Sequence, residues 1–148
     1  MIQQCKAGFL FVGILLLMGV AIQASEAFYT IQGTVRYAAP GDIYLFLVDE
    51  AGFKKPLTGI RTIKIEQHQL SMDKGEIDFK MEQIPEGIYG IRCYLDKNRN
   101  GRLDAGLFGP SEPWDMSWNR DRPSAWPRFE QMSFPVDGKT PRIYLVLE

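Results

Sequence analysis

Oxygen-bearing side chains recur at every second residue near the middle of the chain, in the stretch Asp-Lys-Asn-Arg-Asn-Gly-Arg-Leu-Asp. In this stretch the first, third, fifth and ninth positions of a calcium-loop pattern are Asp96, Asn98, Asn100 and Asp104. Gly101 holds the sixth position, where such a loop turns sharply. Because Ca²⁺ takes about six to eight hard oxygen ligands, this spacing predicts a loop that wraps a cation.

The rest of the ligand shell departs from the EF-hand pattern. Arg102 stands at the seventh position, where its backbone carbonyl would serve, but Leu107 stands at the twelfth, where an EF-hand has a bidentate Glu. The flanking sequence also lacks helical spacing, so the loop is not an EF-hand. We expect Glu112 to close the shell, with Asp115 or water as the alternatives.

The charge of the loop sets the expected affinity. Two carboxylates and two amides carry less negative charge than a cytosolic calcium sensor, which predicts weak binding with a Kd of roughly 10⁻⁴ to 10⁻³ M. The alternative is a metal-free polar loop held by the turn chemistry of Asn and Asp. We expect calcium as a weakly bound structural ion.

An aromatic segment follows the loop. Trp114, Trp118 and Trp126, with Phe108, would suit a platform on which sugar rings stack. The alternative is that these rings cover the open end of the domain, because a long loop needs a small core of its own. This second role is expected, and a carbohydrate or cell-envelope glycan-binding surface is the competing hypothesis.

The elements that position the loop are strands. Apolar and polar residues alternate or run unbroken between turn signals at seven places, which are residues 30–37, 43–48, 62–66, 76–82, 89–95, 128–136 and 142–148. The fifth of these strands runs directly into Asp96. We therefore expect an all-β fold, an antiparallel sandwich of about seven strands, transthyretin-like or immunoglobulin-like, with one long ordered loop.

The first residues predict export. Lys6 precedes an apolar run over residues 7–22, and Ser25-Glu26-Ala27 offers a cleavage site, so residues 1–27 resemble a secretory signal peptide. A retained N-terminal anchor is the alternative. Cleavage after Ala27 would leave residues 28–148 as a single periplasmic or secreted domain.

Composition narrows the function classes. The chain has 17 basic and 18 acidic residues, a net charge of −1, which does not predict binding to nucleic acid or membrane insertion after signal cleavage. The expected partner is an unidentified envelope or extracellular ligand, and the oligomeric state is open. Cys93, the only cysteine after residue 27, and His68, the only histidine, do not form a catalytic or zinc pattern. We expect the domain not to be an enzyme.

Several of these residues also carry a resemblance. The segment Tyr94-Leu95-Asp96-x-Asn98-x-Asn100-Gly101-x-Leu103-Asp104, then Gly109-Pro110-x-Glu112, with the early Gly33-x-Val35, resembles domain of unknown function family 2141. The resemblance implies an exported bacterial sandwich domain and supplies no function. Where members commonly continue toward Gly-Phe-Ser-Asn, this chain has a tryptophan-rich stretch at residues 114–119.

Overall fold

The computed structural model describes residues 26–55, 58–119, 122 and 127–148. Within these ranges there are ten strands: β1 (Phe28–Tyr37), β2 (Asp42–Val48), β3 (Arg61–Ile65), β4 (Glu76–Pro85), β5 (Gly87–Asp96), β6 (Ala105–Gly106), β7 (Gly109–Pro110), β8 (Trp114–Met116), β9 (Ser133–Val136) and β10 (Ile143–Leu147). One helical turn, α1 (Glu50–Phe53), and two 3-10 turns, Gln67–Gln69 and Phe129–Gln131, complete the elements. No helix in these ranges is long and apolar enough to cross a membrane.

The strands form two main sheets. The first sheet has the order β10-β1-β4, and the second has the order β3-β2-β5-β8, with β9 also paired to β5. The pairs are antiparallel except for β1 and β10, which run parallel from Gly33 opposite Ile143 to Tyr37 opposite Leu147. Residues 105–110 form a small hairpin of their own. The expected all-β, sandwich-like class is confirmed.

Residues from both sheets share one buried cluster, here called the inner core. Its members come mainly from the inward positions of the long strands: Ile31, Val35, Tyr37, Ile43, Leu45, Leu47, Ile65, Phe79, Met81, Ile84, Tyr89, Ile91, Cys93, Leu95, Phe134, Val136, Ile143, Leu145 and Leu147. Since successive side chains of a strand point to opposite faces, the alternation in the sequence places these residues together.

A second buried cluster lies on the outer face of the second sheet. This outer cluster consists of Phe46, Val48, Tyr94, Met116, Phe129 and Met132, with Tyr44, Phe53, Leu103, Trp114 and Trp118 packed against it. The strands β2 and β5 are therefore buried on both faces, as the unbroken apolar run at residues 43–48 predicts.

Two parts of the chain differ from the expected strand pattern. The long connection after β5 contains the short strands β6, β7 and β8, which are too short to show periodicity. The expected strand over residues 128–136 is wrong for its first half, where a 3-10 turn precedes β9. The Gln131 side chain accepts from the Arg128 N–H at 2.8 Å, and the turn buries both Phe129 and Met132, three residues apart. The expected signal peptide lies, up to residue 25, outside the described residues.

Candidate cation-binding loop

The loop begins at the buried end of a central strand. Asp96 is the last residue of β5 and is fully buried, in register with Asp42 of β2. Its two carboxylate oxygens accept hydrogen bonds from the backbone N–H groups of Asn100, at 3.1 Å, and Gly101, at 2.7 Å. The Asp96 carboxylate thereby folds the next five residues into a turn around itself.

Two residues of this turn adopt left-handed backbone angles. Gly101 has φ +78°, and Arg99 has φ +60°. Glycine reaches this region without steric cost, whereas a residue with a Cβ is strained there. The sixth position of the pattern is thus the sharp turn that the sequence predicts.

The polar side chains of the loop converge on Asp104. Asn98 Nδ2 donates to Asp104 Oδ2 at 2.6 Å, and Asn100 Nδ2 donates to Oδ1 and Oδ2 at 3.0 and 3.1 Å. The amide oxygens accept from the loop backbone, Asn98 Oδ1 from Asn100 N at 3.1 Å and Asn100 Oδ1 from Arg102 N at 2.8 Å. Asn98, Asn100 and Asp104 thus form one group of hydrogen-bonded side chains, and the Asp96 carboxylate joins it through the backbone N–H of Asn100.

Leu107 does not lie in this group. The chain leaves the loop at Ala105, runs through the hairpin of β6 and β7, and turns at Leu107 and Phe108. Ser111 N donates to the Asp104 carbonyl at 2.8 Å, so the hairpin returns the chain to the point it left. The twelfth position of the pattern therefore lies in the turn of the hairpin, and an acidic residue follows the hairpin.

That acid is Glu112, which joins the two ends of the loop. It is buried, with Oε1 accepting from Lys97 N at 2.8 Å and Oε2 accepting from Asp104 N at 3.1 Å. An ionised carboxylate has about four lone-pair positions, so each oxygen retains capacity for another partner. Arg102, by contrast, has an exposed side chain, and Leu103 next to it packs against the outer cluster.

The buried acids have an electrostatic effect on a neighbouring phenol. Burial raises the pKa of Tyr94 to about 12, and the charges of Tyr44, Asp96 and Glu112 add to the increase. The hydroxyl therefore stays protonated at physiological pH. Asp96 and Glu112 are therefore close enough to Tyr94 to influence its hydroxyl.

The donor set is mixed. Among the described residues, no three His, Cys, Asp or Glu side chains are grouped as in a metal centre made of such ligands alone. An ion in this loop would need the amide oxygens of Asn98 and Asn100 as well as the carboxylates. A rotation of either side-chain amide by 180° exchanges the positions of its NH₂ group and its oxygen, and the oxygen would then face the Asp104 carboxylate, where the ion would bind.

Asp115 lies outside the loop, and its hydrogen bonds link other parts of the chain. Its buried carboxylate accepts from Trp118 Nε1 at 2.8 Å, from Val146 N of β10 at 2.8 Å, and from Arg122. Val146 N belongs to the outer edge of the first sheet. Asp115 therefore ties the segment after the hairpin to that edge, and of the two acids proposed from sequence only Glu112 reaches the loop.

Two of the three tryptophans can be placed. Trp114 and Trp118 are half-buried against the outer cluster, and the Arg122 guanidinium lies over each ring, 5.5 and 5.8 Å from the centroids. Trp126 lies outside the described residues. These contacts favour the covering role over a free stacking platform, and Phe108 lies exposed in the hairpin turn, outside the outer cluster.

A family model covers the loop and nearly all of the sandwich. It is described as "Uncharacterized protein conserved in bacteria (DUF2141)" and matches residues 35–144, from within β1 to within β10. The chain belongs to the DUF2141 family. No curated protein and no solved structure matches the chain.

The remaining reactive side chains of this DUF2141 domain lie outside the loop. Cys93 is buried in the inner core, its S–H donates to the Asp115 carbonyl at 3.6 Å, and burial raises the pKa of its thiol well above the ordinary value. His68 is mostly exposed, with Nδ1 3.2 Å from Glu66 Oε2. A buried thiol is inert, and the imidazole has no nucleophile among these contacts.

Proposed function

We propose that this domain is an exported, non-catalytic β-sandwich whose loop, residues 96–112, binds Ca²⁺ and thereby orders the aromatic segment after β5. The observation that carries the proposal is the folded loop itself: Asn98 and Asn100 donate to the Asp104 carboxylate, and the buried carboxylates of Asp96 and Glu112 hold the loop backbone. The proposed ligands are these five side chains and the backbone carbonyl of Arg102. All are hard oxygen donors, the kind that Ca²⁺ prefers.

The charge balance of the loop supports an ion of this class. Asp96 and Glu112 are buried carboxylates, and a buried negative charge is costly unless opposite charge or hydrogen bonds compensate it. Backbone N–H groups supply part of that compensation, and a divalent cation would supply the rest. We expect weak binding, with a Kd of roughly 10⁻⁴ to 10⁻³ M, suited to an extracellular or periplasmic site.

The position of the loop explains what the ion would do. Leu103 precedes the hairpin, Trp114 follows it, and both pack against the outer cluster. An ion bound by both Asp96 and Glu112 would hold the first and the last residue of the 96–112 loop together. The ion would thus stabilise the cover of the second sheet as a structural element, with no step of chemistry.

Calcium titration of the chain from Phe28 onward tests the proposal. At about ten times the Kd, binding adds about 1.4 kcal/mol of stability, which raises the melting temperature by roughly 5 °C. EDTA should reverse the increase, and Mg²⁺ should give a smaller one because it demands a tighter octahedral shell. An unchanged melting temperature in millimolar calcium would reject the calcium site.

Variants separate the loop from general effects of the ion. Asp96→Ala should abolish the shift, and Asp104→Asn, a change at a half-exposed side chain, should abolish it with little risk to folding. Asp73→Asn is the matched control, because Asp73 is an exposed acid in a turn outside the loop. A melting-temperature shift that survives in Asp104→Asn would place the ion elsewhere.

The contacts of Trp114 and Trp118 favour packing against the outer cluster over binding of a glycan.

Export is part of the proposal and has its own test. The mature protein recovered from the periplasm or medium should begin at Phe28, which intact-mass measurement detects. A chain that keeps residues 1–27 in the membrane fraction would instead support the retained anchor.

A further inference from the structure

The turn of the small hairpin exposes two large apolar side chains. Leu107 is 96% exposed and Phe108 is 102% exposed. The other large apolar side chains on the described surface reach at most 68%, at Tyr144, and none of them is adjacent in sequence to another. Single exposed apolar residues are ordinary, whereas adjacent ones form an apolar patch, and the largest such patch on a protein is often functional.

The hairpin is built to project this pair. Its base is closed by the pairing of Ala105 with Pro110 and by Ser111, whose N–H and hydroxyl both donate to the Asp104 carbonyl. Gly109, with φ +126°, follows the turn at Leu107 and Phe108, and a Cβ at this position would meet no atom within 4 Å. The tip therefore stands free of the domain.

Basic side chains accompany the tip in the same loop. Lys97, Arg99 and Arg102 are exposed, and they balance the acids Asp96, Asp104 and Glu112, so residues 96–112 have no net charge. The acids are turned inward, into hydrogen bonds with the loop. The Ca²⁺ of the proposed function would raise the net charge of this loop from zero to +2, and the three basic side chains would be its exposed charges.

We propose that the tip, Leu107 and Phe108, inserts into the surface of an anionic phospholipid bilayer, and that calcium in the loop strengthens the attachment. Exposed apolar side chains that enter the headgroup boundary, flanked by cations that meet anionic lipids, are the two components of peripheral membrane binding. The calcium dependence rests on the proposed function. The whole-chain charge of −1 does not reveal this site, because a sum over the sequence includes no bound ion and does not tell which side chains face outward.

The size of the tip separates a bilayer from a protein partner. Two side chains bury on the order of 300 Å², whereas a stable protein interface needs about 1,000 Å² or more. A bilayer needs no matching pocket, since the apolar side chains only have to reach the acyl boundary. The geometry therefore fits lipid better than a second copy of the chain.

Vesicle co-sedimentation tests the inference, with the chain from Phe28 onward, which contains all ten strands. The protein should bind vesicles that contain phosphatidylglycerol in calcium, and it should not bind vesicles of phosphatidylcholine alone. Replacing both tip residues, Leu107→Ser with Phe108→Ser, should weaken binding about tenfold or more, because burial of the two apolar side chains in the bilayer is lost. The matched control is Ile88→Ser with Tyr144→Ser, an exposed aliphatic and an exposed aromatic residue outside the loop, which should bind as the wild type does.

Melting temperatures in calcium, measured on the same samples, distinguish the two proposals. A calcium-induced increase without vesicle binding would overturn the membrane inference and leave the calcium loop standing. Tip-dependent vesicle binding that EDTA does not change would support insertion and reject its calcium dependence. Equal binding by the tip variant and the wild type, or a tip-dependent dimer in place of vesicle binding, would overturn the inference.

Discussion

The inner core and the outer cluster are both buried, but they are built by different means. The inner core joins two sheets whose long strands alternate apolar and polar residues. The outer cluster lies on one sheet face, where the rings of Tyr44, Phe46 and Tyr94 stack with centroids 5.1 to 6.4 Å apart. The segments that pack over this face, which include Leu103, Trp114, Trp118, Phe129 and Met132 and are here called the cover, have little regular structure.

The difference lies in what holds the cover in place. Strand pairing fixes the inner core, so each apolar residue on the correct face finds its neighbours. The irregular segments have no ladder of hydrogen bonds between strands, and hydrogen bonds to buried carboxylates hold them instead. Asp96 and Glu112 accept from the loop backbone, and Asp115 links Trp118 to β10. Apolar packing therefore stabilises the sandwich, and hydrogen bonds to buried acids stabilise its cover.

The largest expected effect is in the inner core. Leu45→Ala removes a fully buried side chain between two sheets and should lower the free energy of unfolding by about 3 kcal/mol, measured by urea denaturation. Met132→Ala, equally buried but in the outer cluster, should cost less, because the irregular cover can relax into the cavity. Equal losses for the two variants would show that the cover is as rigid as the sandwich.

A smaller and more local effect is expected at Asp115. Asp115→Asn keeps the shape but loses the charge that accepts from Trp118, Arg122 and Val146, which should cost about 2 kcal/mol. Hydrogen exchange should quicken in residues 114–119 and at Val146 more than in β4. Asp73→Asn, at the surface, is the control and should change neither. Uniform quickening across both sheets would contradict the division into core and cover.

The smallest effect concerns Asp42, beside the loop. Burial alone would raise the pKa of this carboxyl, but the Lys64 ammonium and the Gln67 N–H, with Arg99 farther away, hold it below the ordinary value of 3.8. The stabilisation is complete above pH 3.8 and is lost as the pH falls through the lower folded-state pKa. Acid denaturation of Asp42→Asn should therefore be shallower than that of the wild type. Parallel curves would mean that Asp42 contributes no pH dependence.

The sequence predicts the inner core well because its signal is local. In β4 the residues Ile77, Phe79 and Met81 alternate with charged neighbours, and Phe79 and Met81 are buried as the pattern indicates. Asp96 and its neighbours follow a spacing pattern that needs no knowledge of the fold. Such features depend on residues only a few positions apart.

The cover could not be predicted in the same way. Nothing in the spacing of Glu112 and Asp115 tells which one returns to the loop, since this depends on a hairpin whose strands have only two residues each. The burial of Tyr94 on the second face of β5 depends on chain that arrives more than twenty residues later, such as Phe129 and Met132. The three-residue spacing of Phe129 and Met132 was the available signal for the 3-10 turn.

The parallel pairing of β1 with β10 has a consequence for the order in which the chain can fold. Gly33 lies opposite Ile143, so the first sheet closes only between residues 110 positions apart in the sequence. Contacts between such distant residues slow folding because a long segment must be restrained first. Among the strands described, β10 leaves the ribosome after all the others, so the first sheet cannot be completed until Ile143–Leu147 have emerged. A nascent chain that lacks Ile143–Leu147 would leave β1 paired only with β4, without the third strand of its sheet.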